Sequence, residues 1–136
     1  MNLSSFKESV AEKKRDYSFW FDDESDVDAT NETIRMAEKE LGVVLPQKYK
    51  EFVTEYGGGF FAFTNVFSID LDSNWNILRR NKEAEPYLPE RFIAISDDET
   101  GGLFGFLVDE GQCSDNITEK LYSDIFEYVI SVGLTK

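Results

Sequence analysis

The stretch Thr30–Gly59, TNETIRMAEKELGVVLPQKYKEFVTEYGGG, predicts the part of the fold on which the remaining chain packs. Apolar residues recur in its first half at intervals of three and four, which lines one face of an α-helix. These residues are Ile34, Ala37 and Leu41. Thr30 suits the N-cap of this helix, and Gly42 suits a left-handed residue at its end. We therefore predict a helix between Thr30 and Gly42.

A second helix is predicted from Pro46, which has no amide hydrogen and is favoured at a first helical position. Leu45 before it is restricted to an extended conformation, so the turn between the helices is rigid. The apolar face of this helix consists of Tyr49, Phe52, Val53 and Tyr56. Three glycines end the helix and lead into residues typical of strands. Those residues are Phe60, Phe61, Phe63, Val66, Phe67 and Ile69.

The run through both helices resembles the N-terminal signature of the SUKH superfamily, which includes fungal cell-wall assembly regulators and many bacterial immunity proteins. The matching residues are Ile34, Ala37, Glu38, Leu41, Gly42, Leu45, Pro46, Tyr49, Phe52, Tyr56, Gly57 and Gly58. The resemblance continues through Phe92–Ile95, the turn after it and a final helix near Ser123–Tyr128, covering about residues 30–134. It implies a cytoplasmic stoichiometric inhibitor, often encoded beside a secreted toxin.

Periodicity and this resemblance together predict one α+β domain over residues 1–136, with residues 1–29 as a lead-in to the family-like core. We expect a central, mostly antiparallel sheet of about four to six strands. The helical hairpin and a C-terminal helix flank it. A chain of this length can bury roughly two-thirds of its unfolded surface and needs no disulfide.

Further helices are predicted on both sides of the hairpin. Residues 2–15 form a short helix, with Ser5 and Glu8 in a capping-box relation. Trp75 to Ala84 forms another. At the C-terminal end, an apolar stripe favours one long helix from Asn116 to near Gly133, whereas the family pattern begins its last helix at Ser123.

A β-hairpin is predicted between residues 92 and 108, where two apolar runs flank an acidic, glycine-containing turn. The first strand spans Phe92–Ser96 and the second spans Leu103–Val108. The segment Gly111–Asn116 that follows is predicted to be loop.

The net charge of −13 is concentrated in two stretches that contain no Lys or Arg. The first holds Asp16, Asp22, Asp23, Glu24, Asp26, Asp28 and Glu32, and the second holds Asp97, Asp98, Glu99, Asp109, Glu110, Asp115 and Glu119. Such a field repels nucleic acid and anionic membranes and accelerates association with basic partners. The alternative is that these charges serve only solubility.

Several kinds of chemistry are excluded by composition. The chain contains no histidine and one cysteine, Cys113. Ser-His-Asp and Cys-His catalysis and metal sites with histidine ligands are therefore excluded. The loop from Asp70 lacks the glycine and glutamate of an EF-hand, because Trp75 and Asn81 hold those places. A weak divalent site at Asp97–Glu99 and a solvated turn both remain open. We expect no enzymatic activity and no cofactor.

The leading hypothesis is an immunity protein whose acidic surface occludes the basic face of a toxin, with a nuclease as the expected toxin. The predicted contact residues are Asp22, Asp23, Glu24, Asp26, Asp28, Asp97, Asp98 and Glu99, with Trp20 or Trp75 as apolar anchors. The aromatic run Tyr17–Phe21 either pins the N-terminal helix to the sheet or forms an exposed anchor. The second hypothesis is a regulatory scaffold like the fungal members. The N-terminus lacks a signal-peptide pattern, so we expect a cytoplasmic protein.

Overall fold

The computed structural model describes residues 1–21, 26–62, 64–88, 90–97, 102–109, 112–113 and 124–134. The helices are α1 (Leu3–Asp16), α2 (Asn31–Leu41), α3 (Gln47–Tyr56), α4 (Ile77–Ala84) and α5 (Ile125–Tyr128). The strands are β1 (Gly59–Phe61), β2 (Thr64–Val66), β3 (Phe92–Asp97), β4 (Leu103–Asp109) and β5 (Gln112–Cys113). Short 3-10 helices span Ser18–Phe21 and Glu85–Tyr87, and a π-helical turn, Val129–Gly133, continues α5.

The strands follow one another in chain order across the sheet, and each neighbouring pair is antiparallel. The predicted α+β class and antiparallel pairing are confirmed, as is the hairpin of β3 and β4. Only β3 and β4 are longer than three residues. The prediction of four to six strands therefore overestimates how much of the chain forms regular sheet. Gln112–Cys113 pairs with β4, which corrects the loop prediction at that point.

The helical hairpin forms as its local signals predict. The Thr30 hydroxyl accepts a hydrogen bond from the Thr33 amide, and Gly42 is left-handed with φ of 74°. Pro46 is the N-cap rather than the first residue of α3, so that helix begins one residue later than predicted. The turn is fastened by Glu38, whose carboxylate accepts from the Leu45 amide at 2.7 Å.

The core includes a cluster of aromatic rings between α1, α3, β1 and α5. Phe6 stacks on Phe126 with ring centroids 4.8 Å apart, and Phe52 lies 5.2 Å from Phe61. Each fully buried ring contributes about 1.5 to 3 kcal/mol through loss of apolar surface from water. Helix α1 therefore belongs to the core although the family-like region starts after it. Asn2, not Ser5, caps this helix, since its side chain accepts from the Ser5 amide.

The C-terminal helix begins at Ile125, because Asp124 is extended with φ of −163° and ψ of 177°. The prediction of one uninterrupted helix from Asn116 through Asp124 is therefore wrong. Residues 116–123 lie outside the described residues. The predicted apolar stripe nevertheless faces the interior after Asp124, where Ile125 and Val129 are fully buried.

Candidate functional site

The acidic segment 26–29 lies across the three-glycine turn that ends α3. The Asp26 amide donates to the Gly58 carbonyl at 3.0 Å, and the Ala29 amide donates to the Val53 carbonyl at 2.8 Å. Gly57 has φ of 81°, and a Cβ built on it would overlap with the Asp26 carbonyl group. The glycines therefore both stop the helix and leave room for this segment.

A second segment, the turn at 70–73, is tied to the first by side chains. The Ser73 hydroxyl donates to the Asp26 carboxylate at 2.6 Å, and the Val27 amide donates to the Asp70 carboxylate at 3.2 Å. Asp70 also accepts from the Asp72 amide at 3.0 Å, which orders the turn. The bonds donated by Ser73 and Val27 join residues more than forty positions apart in the chain.

Together the two segments form what we call the acid-rimmed surface, which consists of Asp26, Val27, Asp28, Asp70, Leu71 and Asp72. Val27 and Leu71 are 71% and 69% exposed. Asp28 and Asp72 are also exposed, whereas Asp26 and Asp70 are partly buried and hydrogen-bonded. The surface thus presents two aliphatic side chains among four carboxylates, an arrangement that suits a basic protein partner.

The structure places some of the predicted contact residues and leaves others outside its description. Asp26 and Asp28 lie in the acid-rimmed surface. The carboxylate of Asp97, at the end of β3, accepts from the Asn65 side chain at 2.7 Å. Asp26 lies beside β1, and β2 separates β1 from β3 in the sheet. Asp97 is therefore not part of the acid-rimmed surface. Asp22, Asp23, Glu24, Asp98 and Glu99 lie outside the described residues, as does the side chain of Trp20.

The remaining anchor candidates differ in how far they face solvent. Trp75 is half-buried, packs against the core and is covered by the Arg80 guanidinium 4.2 Å from its ring centroid. In the aromatic run, Phe21 packs edge-to-face on Phe61 at 5.5 Å, while Phe19 is 66% exposed. Phe21 therefore pins the run to β1, whereas a role of Phe19 as an anchor for a partner stays a prediction.

Sequence reasoning missed Val27, Asp70, Leu71 and Asp72 as possible contact residues. In the sequence, Asp70 and Asp72 match only the first and third positions of an EF-hand loop that Trp75 and Asn81 then break. Among the described residues, no three Asp, Glu or Cys side chains converge closely enough to hold a metal ion. A signal was present in the sequence, because both segments place one aliphatic residue between two aspartates.

A shallow groove of ≈ 460 Å³ lies between α1, α2 and α3. Its charged residues have both signs, and Lys50 pairs with Glu38 at 3.4 Å. The lining residues are Leu3, Asn31, Ile34, Arg35, Glu38, Gln47, Lys50, Glu51, Thr54 and Glu55. None of these lining residues belongs to the acid-rimmed surface.

Replacing Gly57 with alanine is expected to release the acidic segment from the turn, because the added Cβ overlaps the Asp26 backbone. Together with left-handed strain, this lowers the free energy of unfolding by about 1 to 3 kcal/mol. Gly42→Ala is the matched control, since Gly42 is also left-handed but its Cβ meets nothing within 4 Å. Amide hydrogen exchange at Asp26 and Val27 accelerates in the first variant only; equal rates in both variants would contradict this account.

Comparison with models of protein families shows the family to which the chain belongs. The family model SUKH_6, described as SMI1-KNR4 cell-wall, matches residues 31–128, which is more than half of the chain. No curated protein and no solved structure matches the chain. None of the described helices is both long and apolar enough to cross a membrane. The match begins at the first residue of α2 and ends at the last residue of α5. The chain belongs to the SUKH family.

Proposed function

We propose that this protein is a cytoplasmic immunity protein that binds and neutralises a cognate bacterial toxin without catalysis. The expected toxin is a nuclease, whose nucleic-acid-binding face is basic. The observation that carries the proposal is the acid-rimmed surface on a SUKH-family fold, in a chain of net charge −13. Occlusion of a basic face requires no catalytic group and no cofactor.

Electrostatic physics favours this mode of action. Complementary charge raises association rates by about 10- to 1000-fold at low salt, which suits an inhibitor that must capture its target quickly. The described carboxylates at Asp26, Asp28, Asp70 and Asp72 lie on two segments fixed to each other. A partner therefore meets an ordered surface and loses less conformational entropy on binding.

Co-expression with a candidate toxin tests the proposal. The candidate is the toxic C-terminal domain of a large protein encoded next to this chain. Growth is expected to recover when the chain is expressed and to remain arrested with an unrelated acidic protein of similar net charge. Failure to restore growth, with both proteins present at comparable levels, would refute neutralisation of that toxin.

A regulatory scaffold is the second candidate, and the cell-wall description of the matching family model favours it. A regulator must bind cellular proteins in cells that carry no toxin gene. Deleting the gene from such cells separates the candidates, since loss of an immunity protein then has no effect on growth or cell-wall integrity. A cell-wall defect would favour regulation.

A further inference from the structure

Val27 and Leu71 are the two most exposed aliphatic side chains among the large apolar residues that the structure describes. Singly exposed aliphatic residues are common on protein surfaces. These two, however, come from segments that hydrogen-bond to each other, and each sits between two aspartates. They therefore form one feature of the surface.

The backbone holds both side chains outward in a fixed arrangement. Before Val27, Asp26 is partly buried and hydrogen-bonded to Ser73, and after it, Ala29 is only 7% exposed. The segment cannot rotate Val27 inward without losing these contacts. On the other segment, the Ser73 amide donates to the Asp70 carbonyl at 3.2 Å, which closes the turn beneath Leu71. A side chain held in place in the unbound protein loses little entropy when a partner binds.

Charge around this pair indicates the partner's chemistry. Four carboxylates flank the two aliphatic side chains, and residues 26–30 and 70–76 contain no Lys or Arg. Beyond Ser73 the charge reverses, because Arg79 and Arg80 bind the side chain and the backbone carbonyl of Asn74 at 3.0 and 2.7 Å. The asymmetry favours one orientation of a basic partner, with its cations near Asp28 and Asp72.

We propose that Val27 and Leu71 form the apolar centre of the docking site for a basic protein, whose Lys or Arg side chains pair with the surrounding aspartates. This proposal rests on the protein-binding function above and specifies where contact occurs. An apolar core with a polar rim is the usual arrangement of a protein–protein interface. The partner presents an apolar side chain flanked by cations.

Panning short random peptides displayed on phage against the immobilised chain tests the site without knowledge of the toxin. The enriched peptides are expected to combine Lys or Arg with a large apolar residue. Their affinity for the double variant V27S/L71S is expected to fall about tenfold or more, since the variant removes both apolar side chains that the peptide buries. Both replaced residues are largely exposed, so the fold is retained.

The double variant M36S/Y87S is the matched control, because Met36 and Tyr87 are 53% and 85% exposed but lie on other elements. Peptide affinity should be unchanged in it. Enrichment of acidic peptides, no enrichment, or equal binding to V27S/L71S and wild type would overturn the proposed site. Growth rescue is a separate readout: rescue by V27S/L71S at wild-type level would refute the site and leave the immunity function standing.

Discussion

The variant Phe52→Ala is expected to lose about 3 to 5 kcal/mol of unfolding free energy, the range for removing a buried phenylalanine. Phe52 is fully buried, and its ring lies 5.7 Å from Phe6, 5.2 Å from Tyr56 and 5.2 Å from Phe61. The substitution therefore removes apolar burial and several aromatic contacts at the junction of α1, α3 and β1. Urea denaturation followed by fluorescence measures the loss.

Phe19→Ala is the matched control, because Phe19 is 66% exposed. Its replacement should change the free energy of unfolding by less than about 1 kcal/mol, as is usual for surface positions. Similar values for the two variants would contradict an aromatic core centred on α3. A change in the denaturant slope of one variant would instead indicate an altered denatured state.

Asp124→Ala is expected to lower the free energy of unfolding by about 2 to 4 kcal/mol, combining a lost N-cap with a lost charge-assisted hydrogen bond. The Asp124 side chain is 2% exposed. Its carboxylate accepts from the Glu127 amide at 3.0 Å and from the Lys48 ammonium at 2.9 Å. These bonds fasten the start of α5 to α3.

The same residue gives a pH dependence with a definite sign. Burial raises the pKa of Asp124, but the hydrogen bonds from Glu127 and Lys48 outweigh it, and the pKa lies below its ordinary value. A carboxyl whose pKa is lower in the folded state stabilises the protein above its unfolded pKa of about 3.9. That stabilisation disappears as the pH falls through the folded pKa.

Wild type and Asp124→Ala should therefore differ most in stability near neutral pH and converge in acid. Glu90→Ala, which removes an exposed carboxylate, serves as the control and should leave the pH profile unchanged. Thermal denaturation across this pH range provides the measurement. A constant difference between wild type and Asp124→Ala down to strongly acidic pH would refute the contribution of the ionised carboxylate.

Local signals account for the elements that could be predicted. The N-cap at Thr30 and the left-handed Gly42 act within one helix, so a single stretch of sequence is sufficient to locate both ends. The β3–β4 hairpin is likewise formed by neighbouring segments. In each case the physical cause lies within a few residues of the structure that it produces.

Long-range contacts account for what could not be predicted. Nothing near Asp26 in the sequence indicates that Ser73 will donate to it, because the two meet only after α3, β1 and β2 have packed. The start of α5 is similar: the periodicity of its apolar residues continues across Asp124, but that residue is extended and binds Lys48 on another helix. Tertiary contacts therefore determine both the Asp26–Ser73 hydrogen bond and the residue at which α5 begins.

The association rate of the chain with the purified toxin domain that it neutralises tests the central claim most directly. For wild type, the logarithm of this rate should fall steeply with ionic strength, because the acid-rimmed surface attracts a basic face. For D28K/D72K, association should be slower and the salt dependence flatter, whereas E83K/E90K should remain close to wild type. Identical rates and salt dependence for wild type and D28K/D72K would place the contact elsewhere and contradict the account.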